Sequence, residues 1–304
     1  MARPALRIGI RLPQSEPGLD WSNYAAMAQA AEESGFDSVW LGADRARHKN
    51  DQLVTPAAQP SDHGDEADHN TPFPDARSWD TWTLLTTIAN VTQRVAIGPL
   101  VVSAAFHPPA FTAKMAVAVH AASSGRLVLG LGADWDRPEF QNLNMPYDQR
   151  VSRFESSYSI IRALVHDVAA LPAPVARVPV MIATNARRAL EITLPTAEIW
   201  NTGYAECDNS PEGFARLNER VTAIAEQLGR PPEKIRRSVC MRISLRGETP
   251  DRSGDFVPAA VTGTPRQIAA RVDEFAQAGA DEVILDIEEI DERAIRSLAE
   301  ITVG

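Results

Sequence analysis

A chain of 304 residues, 44% hydrophobic and 23% charged, has the composition of a folded globular protein with a large core, and disorder of the whole chain is excluded. Its net charge of −10 repels nucleic-acid phosphates and anionic lipid, and no concentrated basic patch offsets it, so neither is an expected partner. The N-terminal MARPALRIGIRLPQ lacks the apolar core of a signal peptide, and no apolar run approaches the roughly 20 residues of a membrane span, so a cytoplasmic location is expected.

Along the chain, short apolar runs of strand length alternate with longer segments of helical period. The run Arg7–Leu12 precedes a helical pattern over Tyr24–Ser34, which ends at Gly35, where a left-handed residue closes a helix. Ser38–Leu41 is the second run. After it, Arg45 to Arg77 shows no period over about 30 residues, the length of a functional lid or a flexible insertion rather than a connector. Val95–Val101, a helical pattern over Ala110–Ala122, and Leu127–Leu131 follow, then a second irregular stretch from Trp135 to Gln149. The remaining strand runs are Val180–Ala183, Glu198–Asn201, Ser238–Ser244 and Glu282–Asp286, with helical patterns over Phe154–Val165, Glu212–Leu228 and Pro265–Ala278. Thr264-Pro265 places a capping side chain before a proline at the first helical position, and Gly279 closes that helix. Eight strands alternating with eight helical patterns predict an α/β protein, a (β/α)8 TIM barrel, occupying residues 1–304 as a single domain. A doubly wound open sheet is the alternative. In the barrel register both irregular stretches follow strands, which puts them at the C-terminal face, where barrel enzymes keep their active sites.

Two features carry chemistry by residue type. Cys207 and Cys240 lack any ligand spacing and are expected to be free thiols. The run SDHGDEADHN, with His48 upstream, mixes carboxylates and imidazoles as a divalent-metal site does, but no strand ends in His-x-His, so a solvated acidic loop is expected and no metal is assigned.

The stretch GRLVLGLGADWDRPEF runs from a buried strand through bare glycines into charge. At a strand exit, glycines admit a flat ligand or a phosphate to the backbone because no Cβ intervenes; a tight turn is the plainer account. SGRLVLGLGADWDRPEF resembles the strand-four motif of the bacterial-luciferase-like superfamily, and the resemblance extends to RIGIRLPQ, AEESGFDSVWLG, WTLLTTIANVTQRVAIGPLVVSAAFHPPAFTAKMA, RVSRFESSYSIIRAL and VTGTPRQIAARVDEFAQAGADEVILD. It implies a luciferase-like TIM barrel with a long insertion after strand two, binding FMN or coenzyme F420, acting on a small organic substrate, and homodimeric.

The resemblance implies site residues position by position. After strand two, WLGADR carries Asp44 where the family has a histidine; it either faces the ring or caps a helix, and a carboxylate ionised at neutral pH accepts but does not donate a proton. Ser103 and Ala104 match the pair where the family often has a non-prolyl cis peptide under the ring, and His107 just beyond is either a ligand contact or a solvated loop residue. Gly132, Ala133 and Asp134 form the strand-four exit, with Asp134 in place of a glycine and Trp135 beside ring and substrate. After strand five, Ala183, Thr184, Asn185 and Arg187 stand where a glycine phosphate cradle is usual; they hold phosphate or open an ordinary helix. Three functions follow: an F420- or FMN-dependent oxidoreductase or monooxygenase, a luciferase-like paralogue that has lost the cofactor and serves as a binding or partner protein, and a metal-dependent TIM-barrel hydrolase.

Overall fold

The computed structural model describes residues 5–13, 19–42, 79–132, 140, 145–166, 176–245, 258–288 and 290–302. The sheet is parallel throughout, and its strands are β1 (Arg7–Leu12), β2 (Ser38–Gly42), β3 (Ala96–Leu100), β4 (Val102–Ser103), β5 (Leu129–Gly132), β6 (Val180–Ala183), β7 (Ile199–Thr202), β8 (Arg236–Ser244), β9 (Val261–Thr262) and β10 (Glu282–Ile287). Neighbours run β3-β2-β1-β10-β8-β7-β6-β5-β4, with β9 added to β8. The barrel is nearly closed. A bridge joins Ile97 of β3 to Leu127, where Val128 N–H donates to Ile97 O at 2.8 Å and Ile97 N–H to Arg126 O at 3.1 Å. β3 and β4 are therefore two pieces of one barrel strand, and eight positions complete the circle.

Helices α1 (Trp21–Glu33), α2 (Thr81–Val91), α3 (Pro109–Ala122), α4 (Arg150–His166), α5 (Arg187–Thr193), α6 (Pro211–Gln227), α7 (Pro265–Gln277), α8 (Glu292–Ser297) and α9 (Ala299–Thr302) pack outside the sheet. Their ends follow from local chemistry. Asp20 and Asn23 form a capping box on α1, and Thr264 and Gln267 form another on α7 with Pro265 at its first position. Gly35 and Gly279 take φ values of 85° and 112°, so the left-handed closures expected at both positions are present.

Strand alternation sorts side chains into two cores. One phase (Ile8, Ile10 and Leu12 on β1; Val239, Met241 and Ile243 on β8; Val283 and Leu285 on β10) meets the helices. The other fills the barrel with Trp40, Val128, Met181, Ile199, Cys240 and Ile284. Bare glycines make room for that plug: a Cβ on Gly98 would lie 2.7 Å from the Trp40 ring and 2.4 Å from Val128 O. The barrel is thus a packed core open to ligands only at its ends.

Two expectations need correction. The strand expected as Val95–Val101 is interrupted, because the peptide bond Leu100–Val101 is cis. That bond, not Ser103-Ala104, is the non-prolyl cis peptide. The loop 45–77, the acidic run within it, and Asp44, Ala133, Asp134 and Trp135 lie outside the described residues. Among the described residues, no helix is long and apolar enough to cross a membrane.

Candidate active site at the C-terminal mouth of the barrel

Register brings small side chains into one row along the strand ends. Ser103 pairs with Gly132, Gly132 with Ala183, and Ala183 with Asn201, across β4, β5, β6 and β7. Ala104 N–H donates to Gly132 O at 3.2 Å and extends the row past the strand end. Ser103 Oγ accepts from Ala105 N–H at 3.1 Å. On this half of the mouth Ser103, Gly132 and Ala183 present a hydroxymethyl, a hydrogen and a methyl, and the Asn201 amide is turned onto Ser238 Oγ at 3.0 Å, so a flat molecule can lie close to the backbone of the first three.

The turn after β6 fastens this half to the helices. Thr184 is buried; its Oγ accepts from Ala186 N–H at 3.2 Å and its carbonyl accepts from Trp200 Nε1 at 2.9 Å. Asn185 Nδ2 donates to Thr202 Oγ at 2.9 Å, while its Oδ1 is buried with no partner among the described residues. Arg187, 62% exposed, is drawn instead to Glu191 at 2.8 Å and to Gln227 on α6 at 3.3 Å. Of the four residues expected to grip phosphate, only Asn185 keeps a buried atom unspent, and that atom is an acceptor: it suits a hydroxyl or ring N–H, not a phosphate oxygen. His107 is exposed just ahead of α3.

The opposite half of the mouth is charged. Arg11 on β1 lies in register with Asp286 on β10, and Asp286 with Arg242 on β8. Arg11 Nη1 donates to Asp286 Oδ2 at 2.5 Å. Arg242 Nη2 meets Glu288 at 2.5 Å and its Nη1 donates to Pro258 O at 2.9 Å. Burial opposes the charge on Arg11, but the Asp286 carboxylate outweighs it and holds the guanidinium above its ordinary pKa. Tyr204, just past β7, packs its ring on the apolar plug beside Leu100 and Val101, with the Arg242 guanidinium carbon 6.0 Å from the ring centroid. Burial, then the charge of Asp286, pushes the Tyr204 phenol up, so it stays protonated. Asn209 fixes the turn that carries it: its Nδ2 donates to Arg242 O and Ala259 O, both at 2.9 Å, and its Oδ1 accepts from Arg242 N–H at 3.0 Å.

Sequence alone missed this half, although β1 signals it. In RIGIRL the apolar phase is Ile8, Ile10 and Leu12, which leaves Arg11 in the inward phase at the C-terminal end of a barrel strand. The two thiols do no chemistry here. Both are free and buried. Burial pushes Cys207 up to about 11, and its Sγ donates to Gly203 O at 3.2 Å; burial raises Cys240 further still.

Comparison with known proteins identifies this arrangement. The model of the family described as luciferase-like monooxygenase matches residues 6–252. The chain belongs to that family. The luciferase-like chain is 28% identical over 270 residues to the phthiodiolone/phenolphthiodiolone dimycocerosates ketoreductase of Mycobacterium tuberculosis, covering 83% of this chain and 65% of that protein. It is 28% identical over 175 residues to pyrimidine monooxygenase RutA of Acinetobacter baylyi, covering 50% and 47% of the two chains. In fold it is similar to an F420-dependent secondary alcohol dehydrogenase solved with an F420–acetone adduct, at TM-score 0.75 and 13% identity over 99% of both chains. It is similar too to monooxygenase RslO1 from Streptomyces bottropensis, at TM-score 0.72 and 20% identity over 97% and 98%. Of these folds, the alcohol dehydrogenase carries an F420–acetone adduct, and a riboflavin lyase of TM-score 0.71 and 13% identity carries a modified FMN. The small-residue row and the unpartnered Asn185 Oδ1 fit such a group: the row leaves room for a flat ring, and the acceptor meets a donor that a ring N–H or ribityl hydroxyl carries.

Proposed function

We propose that the protein is a flavin- or deazaflavin-dependent oxidoreductase acting on a small organic substrate. The observation that carries this is the division of one barrel mouth into a row of Ser103, Gly132 and Ala183 and a charged wall of Arg11, Asp286 and Arg242. The row is where the ring would lie, with Asn185 Oδ1 accepting from it, and the wall faces the remaining space. When bound, the cofactor supplies hydride transfer or, as a flavin, oxygen activation. The chain contributes orientation and dryness. Trp40, Met181 and Ile284 seal the barrel below the mouth, so water reaches the reacting atoms from one side only.

Fluorescence titration of the purified protein with F420 and with FMN tests this, with micromolar or tighter binding of one expected. Ala183→Leu puts an isobutyl group into the row and is expected to abolish that binding while the melting transition persists. Binding unchanged in Ala183→Leu would move the cofactor off the row.

A second function is favoured by one observation. The side chains expected to hold phosphate are spent on the protein itself, Thr184 on its own turn and Arg187 on Glu191 and Gln227. A barrel that has lost its cofactor and serves as a binding protein fits that; absence of binding to either cofactor would select it.

A further inference from the structure

The charged wall holds donors that nothing among the described residues uses. Among the described residues, Asp286 is the one hydrogen-bond partner of Arg11, through Nη1; Nε is buried without a partner and Nη2 has none. Beside it the Tyr204 phenol has no hydrogen-bond partner among the described residues, and the two groups are near enough that each acts on the other's ionisation. Arg242 on the next strand is spent, on Glu288, on Pro258 O and over the Tyr204 ring.

An unpartnered Nε alone marks nothing, since Arg7 and Arg230 share it. Arg7, however, lies at the opposite end of β1, and Arg230 has given both terminal nitrogens to Pro195 O and Ala197 O. Arg11 differs in standing at the strand end that opens to the mouth, one third exposed, in the register row whose next member but one, Arg242, lies under the Tyr204 ring. Buried donors are almost always paired, and Arg11 Nε is buried with no acceptor among the described residues, so the site has room for one.

Charge decides which acceptor. Arg11 is neutralised by Asp286 and Arg242 by Glu288, so the four groups sum to zero and offer an anion no net attraction, while their two carboxylates oppose it. We propose that Arg11 and Tyr204 form a substrate subsite that binds an uncharged carbonyl-type oxygen, as in a ketone, amide or lactam, and discriminates against carboxylates. Asp286 is a positioning residue that fixes the guanidinium across the β1–β10 pair. This rests on the oxidoreductase function only in calling the bound molecule a substrate. The same donors would serve a carbonyl on the cofactor ring, and the test separates the two.

Saturation-transfer difference NMR on the full chain, with cyclohexanone and cyclohexanecarboxylate as probes, is run on wild type, Tyr204→Phe, Arg11→Gln and Asp286→Asn, alongside titrations with F420 and FMN. Cyclohexanone is expected to bind wild type, and more tightly than the carboxylate. Its affinity is expected to fall about fivefold in Tyr204→Phe and about tenfold in Arg11→Gln, the losses for one and two unmade hydrogen bonds. Asp286→Asn, which frees the guanidinium charge, is expected to reverse the preference toward cyclohexanecarboxylate, a result that a merely structural Asp286 would not give. Tyr204→Phe removes a single atom with no internal partner and keeps the fold testable. Failure of wild type to bind cyclohexanone, equal binding in both donor variants, or a loss that falls on the F420 or FMN titration instead would overturn the assignment. Ketone binding without cofactor binding would overturn the oxidoreductase function and leave the subsite standing; cofactor binding with ketone binding indifferent to both donor variants would do the reverse.

Discussion

Two arginines at opposite ends of the barrel show what separates a structural charge from a functional one. Arg126 precedes β5 at the closed end. Its Nε donates to Ser123 O, Nη1 to Thr92 Oγ and Val95 O, and Nη2 to Ala89 O and Thr92 O, all between 2.8 and 3.0 Å. Every donor is used, and the acceptors tie the end of α2 to the entries of β3 and β5. Among the described residues, Arg11 at the mouth has one hydrogen-bond partner, through Nη1, and its buried Nε has none. Burial raises the cost of an unmet polar group, so the donors spent at the closed end hold the fold together, while Arg11 Nε, unpartnered among the described residues, is left to meet an acceptor.

The largest effect should come from breaking the closed end. Arg126→Ala leaves Ala89 O, Val95 O and Thr92 O short of donors, and we expect roughly 3–5 kcal/mol of lost stability in urea denaturation, from several charge-assisted bonds lost together. Cofactor affinity per folded molecule should not change. A loss below about 1 kcal/mol would show that water replaces the guanidinium easily, and would remove the contrast with Arg11.

Glu32 sharpens the same comparison with a pH axis. It reaches from the end of α1 to accept the backbone N–H groups of Gln93, Arg94 and Val95. Burial pushes this carboxyl up, but the three N–H donors outweigh it and hold its pKa below the ordinary glutamate range. A carboxyl with a depressed folded pKa contributes stability that is present above the unfolded value, about 4.3, and lost as pH falls through the folded one. Glu32→Gln should therefore cost about 1–2 kcal/mol at neutral pH and much less at acid pH. Parallel stability curves for variant and wild type from pH 7 to pH 3 would rule out this linkage.

How much of this was legible follows from what each feature depends on. The barrel was readable because alternation and helix caps are local: RIGIRL, SVWLG and EVILDI announce buried strands, and Thr264, Gly35 and Gly279 mark helix ends. The row Ser103–Gly132–Ala183 was readable as separate members of a resemblance, and the register joined them. Arg126 was not readable as a structural clamp, although it sits in the motif SGRLVLG, because all its acceptors but Ser123 O lie more than 30 residues upstream. The third barrel strand was expected unbroken over Val95–Val101, because periodicity reports only which face a residue takes, and the resemblance put the cis peptide at Ser103-Ala104 whereas it lies at Leu100–Val101. The pairing of Arg11 with Asp286 spans 275 residues, and only the closed circle of strands brings it about.

The smallest expected effect is the most direct check on the resemblance. By position in the motif, Arg187 belongs to a phosphate cradle; by geometry it is an exposed side chain held by Glu191 one turn on and by Gln227. An exposed ion pair of this spacing contributes only about 0.3–0.5 kcal/mol, so Arg187→Ala should barely move the melting midpoint. It should also leave the dissociation constant for F420 or FMN within about twofold of wild type, since a guanidinium bound to two other groups has little left for a phosphate. If affinity instead fell tenfold or more, about 1.4 kcal/mol, the side chain would have to leave Glu191 and swing to the ligand, and position in the motif would have outweighed the geometry of the unliganded chain.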